Sequence, residues 1–425
     1  MIYNWLNMNL SEELTWRGFI NQTTLKDLKQ LDSMMISFYH GYDASSDSLT
    51  IGNLAAVMMD KCLIRHGHEA TIISGGATSL IGDPGGKDSE RPMQTKETIE
   101  TNVRAVQKQL TNLLGSNTRF LNNLEWLSKI NVLDFLRDVG KYFSMTPLVQ
   151  RDYIAKRIGP NGSGITYTEL SYTLLQGYDY LYLNQKYGVN LQIAGSDQWG
   201  NCLSGVELIK KVTEKTVHAF TCPLIINQAT GIKFGKSEKG AVWLDPLKTS
   251  PLDFYQFWIN SDDLGVISYL KIFTELNKNQ IDEIEKTQKH NPASRIAQKT
   301  LAYEVTKIVH GENTARNVEI ATQVLTGKTN VNDIDKKAVA TLKNYVRSII
   351  VRRGNKNTKM SEILVTTGLA LSVTEARRLL AAGSIYLDNE RIADDEIDFS
   401  RFSSNYLMLR RGKAFKDTIF IEIKK

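Results

Sequence analysis

Residues 34–74 read MMISFYHGYDASSDSLTIGNLAAVMMDKCLIRHGHEATIIS, and this stretch decides the fold. Its first apolar run, Met34–Tyr39, predicts a buried strand, and Ala70–Ser74 predicts a second one. Between them, Leu54–His66 predicts a helix that ends at a glycine. A strand, a crossover helix and another strand indicate a parallel sheet in an α/β protein. The ligand of such a sheet is expected at the carboxyl ends of its strands.

The composition is that of a folded protein with several domains. The chain has 425 residues, 42% of them hydrophobic and 23% charged, which indicates about two to four domains. No apolar run approaches the length of a membrane span and the N-terminus lacks a signal pattern, so a cytoplasmic protein without a membrane partner is expected. Cys62, Cys202 and Cys222 lack metal-ligand spacing; we expect buried reduced thiols and no permanently bound metal.

The positive charge is concentrated at one end of the chain. Lys and Arg outnumber Asp and Glu by six overall, and residues 331–425 contain 18 of the former and 12 of the latter. The whole excess therefore lies in the last quarter. A basic terminal module on a neutral body suggests a polyanionic partner, although a merely solvated basic surface would have the same composition.

Two separate segments indicate a nucleotide site. Gly41–Asn53, GYDASSDSLTIGN, runs from a strand into a helix start, where unpaired backbone N–H groups and the helix dipole favour a phosphate. Thr230–Gly240, TGIKFGKSEKG, carries Lys233 and Lys236 around a glycine that lets the loop fold over a ligand. A nucleotide held between a helix N-terminus and a lysine loop is typical of adenylate-forming chemistry.

Polar residues on a third segment indicate a second ligand. On the predicted helix Thr168–Leu183, the side chains of Tyr172, Gln176 and Asp179 share one face because they are four and three residues apart. A solvated helix face would also explain them. The following strand ends in GSDQ, however, and the loop GGATSLIGDPGG adds a threonine and another aspartate. One pocket with two aspartates, several glutamines and tyrosine hydroxyls suits an amino acid.

With these motifs the chain closely resembles the bacterial tyrosyl-tRNA synthetase family, which are class I aminoacyl-tRNA synthetases, from about Tyr39 to the C-terminus. The resemblance is carried by GYDASSDSLTIGN, GGATSLIGDPGGKDSER, SYTLLQGYDY, LQIAGSDQWGN and KFGKS. It implies a Rossmann-like parallel-sheet catalytic domain, an all-helical domain and a small C-terminal α+β RNA-binding domain. The implied activity is ATP-dependent formation of tyrosyl-adenylate and transfer of the tyrosyl group to the 3′ end of tRNA. The implied partners are L-tyrosine, ATP with Mg²⁺, the tyrosine tRNA and a second copy of the chain.

The resemblance and the composition together predict four regions. Residues 1–226 are expected to form the catalytic domain, with a dimer-forming insertion around 120–165, and residues 227–330 are expected to contain the lysine loop and a helical domain. Residues 331–358 are expected to form a linker, and residues 359–425 the RNA-binding domain.

The resemblance also implies roles for the residues of the amino-acid pocket. Tyr39 and Asp179 are expected to hydrogen-bond the phenolic hydroxyl of the substrate. Tyr172, Gln176 and Asp83 are expected to hold its ammonium group. Selectivity against phenylalanine would follow from buried polar groups that only a hydroxyl can satisfy. The remaining residues implied around the ammonium and carboxylate groups are Asp43, Thr78, Gln192 and Gln198.

For the nucleotide, the resemblance implies that Gly52 allows close approach to the helix start and that Gly195 and Asp197 bind the ribose. Leu224 and Ile225 are expected beside the adenine. The tyrosine carboxylate is already a nucleophile, so catalysis requires positioning and charge stabilisation rather than a general base. The residues implied around the phosphates are Thr50, Lys87, Arg91, Lys233 and Lys236, and Asn53 is implied as an amide donor to the ribose.

One position departs from the family pattern. The signature usually reads His-x-Gly-His or His-x-Gly-Asn, whereas this chain has Thr50-Ile51-Gly52-Asn53. A threonine hydroxyl is shorter than an imidazole and never charged, so we expect the site to depend more on its lysines and arginine. The alternative is an RNA-binding synthetase paralogue with weakened activation chemistry. A sibling enzyme for tryptophan is disfavoured, because Tyr39 and Asp179 suit a hydroxyl better than an indole.

The C-terminal segment Lys359–Ile392 resembles a small RNA-binding fold first described in a ribosomal protein. Its basic side chains are expected to contact phosphates and to position an RNA rather than to distinguish bases. The implied target is the long variable arm and anticodon side of the tyrosine tRNA. The residues expected to contact RNA are Arg377, Arg378, Arg410, Arg411 and Lys413.

Overall fold

The computed structural model of the chain describes residues 8–83, 94–228, 231, 234, 236–237, 240–353, 358–412 and 417–424. The chain divides into two compact units. The first comprises residues 1–248 and 260–301, and the second comprises residues 249–259 and 302–425. Among the described residues, no helix combines the length and the hydropathy needed to cross a membrane.

The strands are β1 (Gln22–Thr23), β2 (Ser37–Tyr42), β3 (Glu69–Ser74), β4 (Arg119–Asn122), β5 (Leu191–Gly195), β6 (His218–Cys222), β7 (Lys236–Ser237), β8 (Gly240–Ala241), β9 (Ser348–Arg352), β10 (Thr358–Lys359), β11 (Ile385–Leu387), β12 (Glu390–Ile392), β13 (Glu396–Ile397), β14 (Tyr406–Arg411) and β15 (Thr418–Lys424). The helices are α1 (Leu10–Arg17), α2 (Gln30–Ser33), α3 (Ile51–Arg65), α4 (Thr78–Ile81), α5 (Lys96–Leu114), α6 (Leu124–Leu127), α7 (Val132–Asp138), α8 (Met145–Val149), α9 (Asp152–Ile158), α10 (Tyr167–Tyr187), α11 (Trp199–Thr213), α12 (Pro251–Ile259), α13 (Val266–Phe273), α14 (Lys278–His290), α15 (Ile296–His310), α16 (Glu312–Leu325), α17 (Lys336–Tyr345), α18 (Met360–Thr366) and α19 (Val373–Ala381).

The first unit is built on a six-stranded sheet in the order β1-β6-β5-β2-β3-β4. All neighbouring pairs from β6 to β4 are parallel, and only β1 is antiparallel to its neighbour β6. The parallel sheet predicted from residues 34–74 is therefore confirmed. Because β3 and β4 follow β2 on one side while β5 and β6 lie on the other, the strand order reverses between β2 and β5. Ligands of α/β sheets bind outside the carboxyl ends of the strands at such a reversal.

The elements around this reversal have boundaries that the local sequence only partly indicates. Strand β2 begins at Ser37 rather than Met34, since Met34 and Met35 are exposed and leave the sheet. Helix α3 begins at Ile51 rather than Leu54. Its first turn includes the glycine of the TIGN motif, and the N–H of Ile51 is bonded to the Val242 carbonyl oxygen at 3.0 Å.

Helix α10 is fixed at both ends by its own sequence. Thr166 accepts a hydrogen bond from the N–H of Glu169, whose carboxylate accepts the Thr166 N–H in return. This capping box starts the helix, and Gly188 ends it with a φ of 71°. The hydroxyl of Tyr180 donates to the His218 carbonyl oxygen at 2.8 Å, which anchors the helix to β6. The polar face of α10 is thereby held against the sheet.

The helices that follow the lysine loop do not form the single helical domain expected for residues 227–330. Helices α13 and α14 belong to the first unit, whereas α12 and α16 belong to the second. The reason is a set of contacts distant in sequence: the guanidinium of Arg17 on α1 donates to the carbonyl oxygens of Lys271, Thr274 and Leu276 at 2.5–2.9 Å. Local helix patterns do not reveal such contacts.

Arg17 also belongs to a buried ionic cluster. The carboxylate of Glu13 accepts hydrogen bonds from Arg17 at 2.7 Å, from Arg65, and from His66 at 2.7 Å. Burial raises the pKa of Glu13, but the His66 hydrogen bond and the two guanidinium groups outweigh it and hold that pKa well below its ordinary value. Glu13, Cys62 and His66 lie close enough together to be considered as metal ligands. Two guanidinium groups on the carboxylate disfavour a cation there.

The second unit ends in an α+β module. Its five-stranded sheet has the order β12-β11-β14-β15-β9, and helices α18 and α19 share its apolar core. Residues 331–358, expected as a linker, contain α17 and β9, and β9 pairs in parallel with β15. The module therefore begins before residue 359. Parallel pairing with a strand about 70 residues later is a long-range contact that local sequence does not show.

Candidate functional site

A cavity of about 370 Å³ opens at the carboxyl ends of the parallel strands of the first unit. It lies where the strand order reverses between β2 and β5. Sixteen of the residues expected to bind the amino acid or the nucleotide line it. They are Tyr39, Asp43, Thr50, Gly52, Asn53, Thr78, Asp83, Tyr172, Gln176, Asp179, Gln192, Gly195, Asp197, Gln198, Leu224 and Ile225.

The expected lysines and arginine of the phosphate site are not among these sixteen. Lys87, Arg91 and Lys233 lie outside the described residues, and for Lys236 the structure gives the backbone, in β7, but not the side chain. The base of the lysine loop is nevertheless defined by Phe234. Its ring centroid lies 4.6 Å from that of Tyr269, and its N–H donates to the Ile225 carbonyl oxygen at 2.8 Å.

The floor of the cavity is formed by a buried carboxylate. One oxygen of Asp179, Oδ1, accepts the indole N–H of Trp126 at 2.7 Å, and Oδ2 accepts the amide of Asn123 at 3.0 Å. Burial raises the pKa of Asp179 to about 7, although these two hydrogen bonds lower it; the nearby Asp43 raises it further. The group therefore changes its protonation state near neutral pH.

Trp126 and Asn123 were not expected from the sequence. They follow β4 in the segment LNNLEWL, and Asn123 also lines the cavity. A side-chain amide directly after a strand of a parallel sheet is the signal that would have indicated Asn123, because the carboxyl ends of all these strands meet at one edge. Trp126 carries no such signal, since an apolar helix position predicts only packing.

Three buried polar atoms at the cavity have no hydrogen-bond partner within the described part of the chain. They are Tyr39 Oη, Gln176 Oε1 and Gln192 Oε1. Tyr39 and Gln192 are adjacent in the register of β2 and β5. Burial raises the pKa of Tyr39 well above its ordinary value, with smaller contributions from Cys202 and Asp179, so its hydroxyl stays a neutral donor. Unpaired buried polar atoms are costly, and those that line a cavity can be satisfied by the polar atoms of a ligand.

A second group of carboxylates lies on the same cavity wall. Asp43 accepts hydrogen bonds from the hydroxyls of Tyr172 at 3.0 Å and Thr78 at 3.1 Å. Asp83 accepts the amide of Gln198 at 2.6 Å. Burial raises the pKa of Tyr172 well above its ordinary value, and Asp43 and Asp83 raise it further. Two carboxylates among neutral donors make this part of the cavity suitable for a cationic group of a ligand.

The helix start carries a specific contact between Thr50 and Asn53. The backbone N–H and the hydroxyl of Thr50 both donate to Asn53 Oδ1, each at 3.0 Å. The amide oxygen of Asn53 is thus occupied, which leaves its NH₂ group as the donor that can face a ligand. Thr50 thereby orients the side-chain amide of Asn53.

A further polar group that the sequence analysis missed lies on β2. His40 and Tyr42 both line the cavity, and both bond the carboxylate of Asp60 on α3, at 2.9 Å through His40 Nδ1 and at 2.8 Å through the Tyr42 hydroxyl. Asp60 is completely buried. An aspartate on the apolar face of the predicted helix 54–66 was the signal for this cluster, because a buried carboxylate requires partners.

The structure places the basic residues expected to contact RNA in different surroundings within the C-terminal module. Arg410 on β14 lies over the ring of Tyr386 at 5.3 Å, and Arg391 on β12, which the sequence analysis missed, lies over the same ring at 5.7 Å. Arg377 and Arg411 are engaged by carboxylates, Asp395 at 3.1 Å and Glu375 at 3.4 Å respectively. Arg378 lies on α19, and Lys413 lies outside the described residues.

Comparison with known proteins identifies a family. The model of the class I tRNA synthetases for tryptophan and tyrosine matches residues 32–326, and the model of the C-terminal domain of tyrosine–tRNA ligases matches residues 355–416. The chain is 42% identical to the tyrosine–tRNA ligase of Streptococcus gordonii over 96% of its length and 98% of that protein's, and equally to that of Streptococcus mutans. A mitochondrial tyrosyl-tRNA synthetase from Aspergillus nidulans has a similar structure, with a TM-score of 0.68 and 29% identity over 75% of this chain and 94% of that one.

The contact between Thr50 and Asn53 leads to a prediction. Thr50→Ala removes one of the two donors that orient the Asn53 amide, so formation of the aminoacyl-adenylate in a single turnover should slow by about three- to tenfold, the value of one neutral hydrogen bond. The affinity for L-tyrosine, measured by equilibrium dialysis without ATP, should stay nearly unchanged. Thr50→Ser keeps the hydroxyl and is the matched control. An unchanged single-turnover rate in Thr50→Ala would show that the hydroxyl has no role.

Proposed function

The chain belongs to the tyrosyl-tRNA synthetase family of class I aminoacyl-tRNA synthetases, and we propose that the cavity between β2 and β5 is the site where it activates its amino acid. The enzyme uses ATP to activate L-tyrosine and charges tRNA with it. The observation that carries the proposal for the site is the convergence of sixteen expected residues on one cavity that contains unpaired buried polar atoms.

The geometry supports a tyrosine whose phenol lies at the floor. Tyr39 Oη and the carboxylate of Asp179 together offer a donor and an acceptor to one hydroxyl. The ammonium group would then lie near Asp43 and Asp83, where the carboxylates are, and the Gln176 amide oxygen would accept one of its protons. An amino acid without the hydroxyl would leave the groups at the floor unpaired, at about 1–3 kcal/mol for each.

The chemical step needs no general base. A carboxylate oxygen of tyrosine attacks the α-phosphorus of ATP, the bond to the β-phosphate oxygen breaks, and pyrophosphate leaves. We propose that the N–H of Gly52 in the first turn of α3 binds a phosphate oxygen and that the Asn53 amide donates to the ribose, with Lys87, Arg91, Lys233 and Lys236 neutralising the leaving group. ATP enters as its Mg²⁺ complex, and the metal is part of the substrate. A ribose hydroxyl at the end of tRNA then takes the tyrosyl group, and AMP leaves.

The proposal predicts which amino acid drives pyrophosphate exchange and how the affinity for that amino acid depends on pH. L-tyrosine should drive the exchange of labelled pyrophosphate into ATP, whereas L-phenylalanine should not at equal concentration. The phenol donates to the ionised form of Asp179, whose pKa is about 7. Binding of tyrosine therefore favours ionisation, and the affinity for tyrosine should fall as the pH is lowered below about 7, by at most tenfold per pH unit.

The control is Asp179→Asn, which removes the titrating group and should make the affinity weaker and independent of pH between 5.5 and 8. A wild-type dissociation constant for L-tyrosine that stays constant over this range would contradict the placement of the phenol at Asp179. If tyrosine drives no exchange at any pH, the alternative of an RNA-binding paralogue with weakened chemistry replaces the proposal; nothing in the comparisons favours that alternative.

We further propose that the C-terminal module binds the tyrosine tRNA. Arg391 and Arg410 flank the ring of Tyr386, and such a surface of cations and an aromatic ring suits phosphates and unstacked bases. A tRNA ligase works where translation takes place, so a cytoplasmic location is part of this proposal.

Removing residues 346–425 should leave tyrosine-dependent exchange intact and lower the efficiency of tRNA charging at physiological salt. The deletion begins before β9, because a chain that kept β9 without β15 would expose an unpaired strand edge. Full charging efficiency of the shortened chain would contradict the assignment of the module to tRNA.

The segment around residues 120–165 supports a homodimer. Helix α7 and its neighbours expose apolar side chains, with Leu133 on α7 72% exposed and Ile158 on α9 53% exposed. Several exposed apolar side chains within one segment are typical of a protein interface, and homodimers usually bury the same surface on both copies. We propose that the chain dimerises through this surface.

Leu133→Lys should therefore shift the protein towards a monomer in sedimentation velocity at micromolar concentration. Leu247→Lys is the matched control, since Leu247 is also exposed but lies outside the segment. The proposal fails if the two variants sediment alike.

A further inference from the structure

Arg151 makes an unusual number of contacts for a residue between two short helices. It directly precedes α9, and its guanidinium donates to the Gly200 carbonyl oxygen at 2.8 Å, to Ser204 Oγ at 2.6 Å and to Asn201 Oδ1 at 2.9 Å. It also reaches Thr173 Oγ1 on α10 at 3.0 Å. Arg151 thus ties the segment after α8 to both helices that flank the cavity.

These contacts continue into the cavity as a chain of side-chain amides. The Asn201 oxygen accepts hydrogen bonds from Arg151 and from the Thr173 hydroxyl, so its NH₂ group points the other way and donates to Gln198 Oε1 at 2.9 Å. The Gln198 amide then donates to Asp83 Oδ2 at 2.6 Å. Each amide in this chain has one orientation because the preceding donor occupies its oxygen.

Gln198 and Asp83 line the cavity, whereas Arg151 and Asn201 do not. We propose that Arg151 is a positioning residue for the amino-acid end of the site: it sets the orientation of the Gln198 amide through Asn201 and so presents a donor, rather than an oxygen, to Asp83. The inference rests on the proposed function, because it takes Gln198 and Asp83 to contact the substrate.

The physical reason is the repulsion that the opposite orientation would produce. If Arg151 were absent, Thr173 would be the one donor left to the Asn201 oxygen among the described residues, and the amide could rotate. Gln198 could then turn its oxygen towards the Asp83 carboxylate, which has no proton to offer when ionised. An arginine suits this task better than a lysine, since its planar fork reaches four acceptors from a fixed geometry.

The test uses the full-length enzyme in the exchange assay. Arg151→Met should raise the KM for L-tyrosine by about three- to tenfold, the value of one displaced hydrogen bond, and should leave the KM for ATP within about twofold. Arg151→Lys should recover part of the loss. In a double-mutant cycle, Arg151→Met should add little to Asn201→Ala, because both changes break the same chain.

Arg157→Met is the matched control for a purely structural effect. Arg157 lies on the same helix α9, and its guanidinium bonds Glu169 at 2.5 Å and 2.9 Å. This variant should lower the melting temperature without a selective change in the KM for tyrosine. The inference is overturned if Arg151→Met changes both KM values in proportion, if it adds fully to Asn201→Ala, or if it lowers only the transfer to tRNA.

A separate variant distinguishes this inference from the proposed function. Gln198→Ala removes the cavity-lining amide itself. If it raises the KM for tyrosine while Arg151→Met does not, the role of Arg151 is refuted and the site stands. If Gln198→Ala has no effect on that KM, the assignment of Gln198 to the substrate fails, and the inference fails with it.

Discussion

A carboxylate held away from water at the floor of the cavity constrains the rest of the site. Burying the charge of Asp179 is unfavourable, and the donors from Trp126 and Asn123 offset only part of that cost, because its pKa still rises to about 7. A third donor would favour the ionised form, and in the proposed function the phenolic hydroxyl of the substrate would supply one. Under the proposed function, the substrate would be selected by the incomplete solvation of a carboxylate that the protein's own donors do not fully satisfy.

This constraint requires several elements to stay in register. Helix α10 carries Asp179, the segment after β4 carries its two donors, and β2 places Tyr39 beside Gln192 of β5. The capping box at Thr166 and the hydroxyl of Tyr180 keep α10 in place. A shift of any of these elements by one hydrogen-bond length would leave a buried polar atom unpaired. The proposed recognition of the ligand therefore depends on the packing of the whole unit.

The sequence predicted the sheet and most of the cavity because those signals are local. The apolar runs of residues 34–74 have strand and helix periods, and Tyr172, Gln176 and Asp179 share a helix face by spacing alone. The supporting residues were not predictable in this way. Trp126 contacts Asp179 across 53 residues, and Arg151 reaches Asn201 across 50, so neither contact leaves a periodic pattern. The same holds for Arg17, whose guanidinium donates to carbonyl oxygens in and just after α13, 254–259 residues later in the chain.

The pairing of β9 with β15 has a consequence for synthesis on the ribosome. The five strands of the first sheet that pair in parallel are complete once residue 222 has emerged, since β6 is the last of them. In the five-stranded sheet of the C-terminal module, β9 is synthesised before the other four strands, but its partner β15 is synthesised after them. Strand β14 also pairs with β15, so neither pairing can form until β15 is available. The first sheet can therefore form before the module, which can close only when residues 418–424 have left the exit tunnel.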